Sequence, residues 1–251
     1  MIKAGGTAVM RVWYQNNREW AEADSLLKVL RPVWPDRGCV AVVGAGGKTS
    51  VIFRLAKELE ALGKRVVITT TTHMFREPGA LAASAEEVRR LMEQNSVVMA
   101  GRPAGEGKIT GPEAEELERM AELADFVLVE ADGSKRLPLK LPADHEPVIP
   151  ERTELLLVLA GLRGIGRPLS ECCHRAELVR ELLQAAPDHR IEPEDIRRML
   201  EQGYLKKHFL PGGIPRVVIL NQADEEGLKN QAVSIAEGLC PYSCIITQLH
   251  E

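Results

Sequence analysis

Lys48, Thr49 and Ser50 directly follow Gly44, Ala45, Gly46 and Gly47, and the apolar run Val40-Ala-Val-Val43 precedes them. Lysine beside glycine-rich backbone is chemistry for phosphate. Without β-carbons, Gly44, Gly46 and Gly47 let the chain curl and aim successive N–H groups at one anion. The Lys48 ammonium adds a point charge for the terminal phosphates, and the Thr49 hydroxyl is an oxygen ligand suited to Mg2+. A helix opening at about Thr49 sets its positive dipole end on the same spot. Gly44 to Ser50 therefore read as a nucleoside-triphosphate pocket, with GTP or ATP as ligand and Mg2+ as cofactor.

The loop is shorter than the usual G-x-x-x-x-G-K-[ST] form, because only Ala45 and Gly46 separate Gly44 from Gly47. Mur ligases resemble this chain in using such a G-x-x-G-K-T loop. A chance glycine turn with a surface lysine is the bland alternative, and the flanks argue against it. Val51, Ile52, Leu55, Ala56, Leu59 and Leu62 fall on one helical stripe that Gly63 ends.

A phosphate loop needs a carboxylate at the end of a neighbouring strand. Phe126-Val-Leu-Val-Glu130-Ala-Asp132-Gly133 supplies one, since ligands of open α/β sheets bind at the carboxyl ends of the strands. Glu130 to Gly133 has the spacing of the GTPase Asp-x-x-Gly element, with Glu in place of Asp. Glu130 is the choice for the Mg2+ shell or the attacking water, with Asp132 as its alternate; Lys48 completes the catalytic set. Asn221-Gln-Ala-Asp224 follows the apolar Val217 to Leu220 and has the spacing of Asn-Lys-x-Asp, with which GTPases read guanine. Gln222 departs from that pattern, so a plain polar turn stays open beside guanine binding. Thr71 and His73 end the second strand at the same sheet edge. Lys135, Arg136, Lys140 and His145 follow Glu130 and could contact an anionic second substrate or a partner, or simply be solvated charge.

These residues must be positioned by alternating strands and helices. Strands are expected at 40–43, 65–70, 96–100, 126–130, 154–160, 216–220 and 244–247, with helices between them. The fold class is α/β: a mainly parallel sheet of about six or seven strands with helices on both faces, three-layered and like the P-loop NTPases. Residues 1–18 show no period and read as a loose leader, and Trp20 to Leu30 as a short amphipathic helix. Residues 101–111 read as a loop or short hairpin, and 133–150 as an ordered irregular connection. The whole chain reads as a single domain, with 170–213 as a possible small helical insertion.

Composition narrows the classes. With 251 residues, 45% of them hydrophobic, the chain can bury a full core. A net charge of −4 and 4% aromatic content argue against a nucleic-acid surface. The apolar runs are too short to span a bilayer and no signal-peptide pattern is present, so no membrane partner and a cytoplasmic location are expected. Five cysteines fit free thiols better than disulfides or zinc, even at Cys172-Cys173-His174.

Three stretches together carry a family resemblance. Gly44 to Ser50 leads into Thr69-Thr-Thr-Thr-His-Met74; Glu130-Ala-Asp-Gly-Ser134 leads into Leu137-Pro-Leu-Lys140 and His145-Glu-Pro-Val-Ile-Pro150. His174-Arg-Ala-Glu-Leu178 and Leu220-Asn-Gln-Ala-Asp224 complete the set. Over about residues 38–225 the chain resembles the selenium-dependent hydroxylase accessory protein family, YqeC. Nickel-chaperone GTPases are similar at greater distance. The family resemblance implies a role in maturing selenium-containing molybdenum hydroxylases, with a client enzyme or its cofactor as partner. Three activities stay open: a Mg2+-dependent nucleoside triphosphatase, a kinase or ATP-dependent ligase on an anionic small molecule, and a nucleotide sensor that does not hydrolyse.

Overall fold

A computed structural model describes residues 10–16, 19–76, 78–105, 107–207 and 213–249. A hairpin of β1 (Arg11–Asn16) and β2 (Glu19–Ala23) comes first, then α1 (Leu26–Leu30). β3 (Gly38–Gly44) runs into α2 (Lys48–Ala61), and β4 (Val66–Thr70) into the short β5 (His73–Phe75), β6 (Leu81–Ala82) and α3 (Ala85–Leu91). β7 (Val97–Ala100), β8 (Arg102–Pro103) and β9 (Lys108–Thr110) precede α4 (Ala114–Leu123) and β10 (Phe126–Glu130). β11 (Leu139–Lys140) and β12 (Thr153–Gly161) lead to a helical stretch: α5 (Leu169–Cys172), the short β13 (Cys173–His174), α6 (Ala176–Leu183), α7 (Pro193–Leu200) and a π turn at Glu201–Leu205. β14 (Arg216–Asn221), α8 (Glu226–Gly238) and β15 (Ser243–Gln248) close the chain.

All seven expected strands lie in one ten-stranded sheet, ordered β2-β1-β15-β14-β12-β3-β10-β4-β7-β6. From β15 to β6 every neighbour is parallel, and β1 alone runs antiparallel to its neighbours, β15 and β2. β3 sits between β12 and β10, so its carboxyl end opens with neighbours on both sides. Along β3 the side chains alternate. Val40 and Val42 pack with α1 and α2 on one face, while Ala41 and Val43 join the core under α4, α7 and α8 on the other. Burial on both faces is why the central strands read as unbroken apolar runs. The stripe Val51, Ile52, Leu55, Ala56 and Leu59 is buried, each large member contributing about 1.5–3 kcal/mol.

Two expectations at the amino end are corrected. Residues 11–16 are not a leader but a strand, and residues 20–23 belong to β2 rather than a helix. The helix starts only at Leu26, where the Ser25 hydroxyl accepts the Lys28 N–H as its N-cap. Pairing of β1 with β15, from Arg11–Gln248 to Tyr14–Ile245, decides this, and no local pattern encodes a partner so remote in sequence. The expected leader residues 1–9 and 17–18 lie outside the described residues, as do 208–212 of the stretch Tyr204 to Gly213, which reads in the sequence as a basic turn. Of the loop or short hairpin expected at 101–111, the structure has paired strands, β8 with β9, which β5 extends to a three-stranded sheet. Among the described residues no helix is long and apolar enough to cross a membrane.

Candidate functional site

β3 delivers Gly44 to the carboxyl edge of the sheet, where β12 closes on the loop. A β-carbon on Gly44 would lie 2.1 Å from the Leu159 carbonyl oxygen, and one on Gly46 2.4 Å from the Gly161 backbone. Both glycines also have left-handed backbone, at φ 90° and 84°, so side chains are excluded twice over. Gly47, at φ 112°, caps α2, and Lys48 begins the helix. The Ala45 N–H is held by the Leu159 carbonyl at 3.0 Å, while Thr49 and Ser50 form the first turn of α2.

The Lys48 side chain folds back over this turn and is only 3% exposed. Its Nζ donates to the Gly44 carbonyl at 2.8 Å and to the Ser134 Oγ at 3.2 Å. Two buried carboxylates share its charge: Asp132 Oδ1 at 3.3 Å and Glu130 Oε1 at 3.9 Å. The Thr49 hydroxyl donates to Glu130 Oε2 at 2.8 Å. Burial pushes the Glu130 carboxyl above its ordinary range, against the pull of Lys48 and Thr49.

Asp132 is fully buried at the end of the strand pair. Its Oδ2 accepts the Gly44 N–H at 3.1 Å and the Tyr204 hydroxyl at 3.2 Å, with Lys140 Nζ at 3.4 Å. Lys140 in turn reaches Glu146 Oε2 at 3.0 Å, and Arg175 reaches the same oxygen at 3.0 Å. Positive and negative groups therefore alternate from the phosphate-type loop to the start of α6. Burial alone would raise the Glu146 carboxyl, but hydrogen bonds from Arg175 and Lys140 hold it down to about 2. Tyr204 is pushed well above its usual value by burial and by the facing Asp132. Burial and the cations Lys140, Arg175 and Lys135 lower His174.

Asn221 and Asp224 approach from the other side, at the end of β14. Asn221 Nδ2 donates to the Gly46 carbonyl at 2.8 Å, and its Oδ1 accepts the Thr247 hydroxyl at 2.8 Å. Asn221 thus braces the loop directly. Asp224 faces the Arg163 guanidinium, which lies beyond the end of β12.

The structure thus gathers Gly44 to Ser50, Glu130, Asp132, Lys140 and Asn221 at one sheet edge, with Asp224 beside them. The other candidates lie outside that cluster. Thr71 donates its hydroxyl to the Val148 carbonyl at 2.6 Å, and its N–H to the Glu130 carbonyl at 3.1 Å. His73 is exposed on β5, opposite Thr110. Lys135, Arg136 and His145 are exposed, and the Arg136 guanidinium lies 4.0 Å from the centre of the Phe75 ring. Lys140, by contrast, turns inward to the two acids. All five cysteines are unbridged, including Cys172 and Cys173, whose sulfurs stand 3.8 Å apart.

Six residues of this network are not singled out as site candidates by the sequence motifs: Ser134, Glu146, Arg163, Arg175, Tyr204 and Thr247. Ser134, Glu146 and Arg175 carry a signal, since each lies within a stretch that bears the family resemblance. Tyr204 reaches the site through a π turn that no periodicity announces.

The comparisons with known proteins agree with the sequence resemblance. Residues 40–177, over half of the chain, match the family described as "YqeC protein". The Escherichia coli (strain K12) protein titled "Uncharacterized protein YqeC" is 34% identical over 199 residues, covering 73% of this chain and 75% of that one. Two solved FtsY structures show weaker similarity. The one from Mycoplasma mycoides has 13% identity and a TM-score of 0.29, covering 81% of this chain and 48% of that chain. The signal recognition particle receptor FtsY from Elizabethkingia anophelis has 15% identity and a TM-score of 0.29, covering 87% and 55%. This chain spans about half the length of those two proteins. With the loop, the carboxylate strand end and residues up to Glu177 inside the matched range, the chain belongs to the YqeC family.

Proposed function

We propose that this YqeC-family chain is a Mg2+-dependent nucleoside triphosphatase using GTP or ATP. In this reading it is a cytoplasmic accessory factor in the maturation of a selenium-dependent molybdenum hydroxylase. One observation carries the reading: Lys48 is held inside a glycine loop at 3% exposure, with the Thr49 hydroxyl and Glu130 carboxylate 2.8 Å apart beside it. A buried ammonium over loop amides is matched to a β,γ-phosphate group.

The residues present fit Mg2+. Thr49 and Glu130 are hard oxygen donors brought together at 2.8 Å, and burial disfavours the Glu130 charge in the absence of a bound cation. Among the described residues no three His, Cys, Asp or Glu side chains gather into a cage. An ion here would complete its shell from phosphate and water, as Mg2+ commonly does, and would supply charge neutralisation at the phosphates. In hydrolysis a water oxygen bonds to the terminal phosphorus while the bond to the bridging oxygen breaks, giving nucleoside diphosphate and phosphate. Lys48 and the loop amides stabilise charge on the phosphate oxygens. Where Glu130 is not taken up in the Mg2+ shell, it is the group to orient the attacking water and take its proton, a role suited to a carboxyl raised by burial. Asn221 holds the loop in shape and Asp224 faces the base.

A second reading, transfer of phosphate to an anionic acceptor, is favoured by the exposed Lys135 and Arg136, both held in left-handed backbone at φ 51° and 61°. The test is phosphate release from GTP and ATP with Mg2+ by wild type and Lys48→Ala. Equal rates in the two proteins sink the nucleoside triphosphatase; turnover that requires an added anionic molecule moves the assignment to a kinase or ATP-dependent ligase. Stable binding without release, even with the hydroxylase present, leaves only a sensor.

A further inference from the structure

We propose that Arg163 is a base-reading residue which, with Asp224 and Gln222, makes the pocket select guanine; this rests on the nucleotide reading above. Arg163 belongs to a 3-10 turn, Leu162–Gly164, at the carboxyl end of β12. Its neighbour β14 ends at Asn221, which pairs in register with Gly161, so residues 161–163 and 221–224 face each other across the same strand ends. Arg163 Nε donates to Asp224 Oδ2 at 2.5 Å. The Arg163 side chain is 57% exposed and that of Asp224 17%, which places the pair at the rim of the site rather than in the core.

Gln222 explains why an arginine is needed there. In the Asn-Lys-x-Asp pattern a lysine at this position covers the base. Here Gln222 has φ 68° and its Oε1 comes within 2.4 Å of where a β-carbon on Gly161 would stand. The side chain therefore lies down against the loop floor. Its Oε1 is buried and has no hydrogen-bond partner among the described residues. A buried acceptor without a donor is uncommon in native proteins, and a nucleotide hydroxyl or N–H would fill it. The cation missing at 222 is supplied across the strand ends by Arg163.

The chemistry of this rim matches guanine. Along one edge guanine offers two donors, N1–H and the 2-amino group, beside the O6 acceptor. A carboxylate accepts both donors, and with about four lone-pair sites Asp224 keeps Arg163 while doing so. The planar guanidinium stacks on a purine face or donates to O6. Adenine presents a ring acceptor where guanine has N1–H, so it would face the Asp224 carboxylate unpaired.

The experiment is equilibrium binding of fluorescent GTP and ATP analogues, with Mg2+, to wild type, Arg163→Ala, Asp224→Asn, and Arg163→Ala combined with Gln222→Lys. Wild type is expected to prefer GTP by at least about tenfold, with Arg163→Ala and Asp224→Asn each erasing that preference by weakening GTP alone. The added lysine is expected to recover it in part. Equal weakening of GTP and ATP by Arg163→Ala, no weakening, or a wild type without guanine preference overturns the assignment while leaving the nucleotide pocket standing. Failure of wild type to bind either nucleotide overturns both.

Discussion

The Tyr204 hydroxyl donates to Asp132 Oδ2 at 3.2 Å, fastening the π turn after α7 to the carboxylate that also receives the Gly44 N–H. A group in the helical stretch and the first amide of the phosphate-type loop thus share one oxygen. Whatever draws Lys48 toward a phosphate changes the charge balance at Asp132, and Tyr204 and Lys140 are the groups that feel it. Buried networks of this kind hold one geometry only when every member is satisfied.

Tyr204→Phe keeps the ring and removes only the hydroxyl. Hydrogen bonds to charged groups contribute about 1.5–3 kcal/mol, and this substitution is expected to cost that much in urea unfolding. A loss under about 0.5 kcal/mol would show that water or another donor replaces Tyr204 without cost.

Asn221→Ala leaves the Gly46 carbonyl and the fully buried Thr247 hydroxyl without their partner. Each unsatisfied buried group costs about 1–3 kcal/mol, so stability drops and nucleotide affinity falls with it. Asn221→Asp is the control. It keeps the acceptor for Thr247 but sets a carboxylate against the Gly46 carbonyl, so affinity should stay low. A Gly46→Ala variant attacks the same loop sterically, since its new methyl meets Gly161 backbone that no side-chain rotation can clear. Left-handed strain adds about 1–3 kcal/mol. Normal nucleotide affinity in Gly46→Ala would mean that the loop opens on binding.

Glu146 gives a pH signature. Its carboxyl is held down to about 2 by Arg175 and Lys140, against an ordinary value near 4.5. A depressed acid contributes stability that is present above the unfolded value and lost as pH falls through the folded one. The stability gap between wild type and Glu146→Gln should therefore be full at pH 6 and narrow between pH about 4.5 and about 2. Denaturant titrations across that range provide the measurement, and a gap constant with pH rules out the ion pair as the cause.

Glu130 has the opposite sign. Burial raises its folded value, so ionisation works against the fold, and stability is lost as pH rises past the ordinary 4.5 toward the folded value. Glu130→Gln should melt higher than wild type at neutral pH, by a margin that disappears below about pH 4. Asp132 still pairs with Lys48 in that variant. Under the proposed function the same substitution abolishes Mg2+-dependent phosphate release. A variant less stable than wild type at neutral pH would contradict the burial argument.

Much of the architecture was legible because its signals are contiguous. Each central strand is a short apolar run, and the covering helix α2 carries its stripe in fourteen consecutive residues. The β1–β2 hairpin was not legible, since β1 is a half-buried strand near the sheet edge whose identity depends on Thr247 and Ile246 across the molecule. The Ser25 cap was a local mark of where α1 starts, and it outweighs the apolar spacing that suggested a helix from Trp20.

Within the site, the sequence by itself determined the loop from Gly44 to Ser50, the acid-bearing strand end at Glu130 and Asp132, and the Asn221 to Asp224 turn. Each of these is a run of neighbours whose chemistry follows from bonded geometry. Only the tertiary structure decided which side chains meet. Folding turned Lys140 inward between Asp132 and Glu146, left Lys135, Arg136 and His145 outside, brought Tyr204 to Asp132, and set Arg163 against Asp224. Those contacts join residues from six to more than seventy positions apart in sequence. Their pairing depends on the strand order of the sheet and the path of the helical stretch, which no local pattern of residue types specifies.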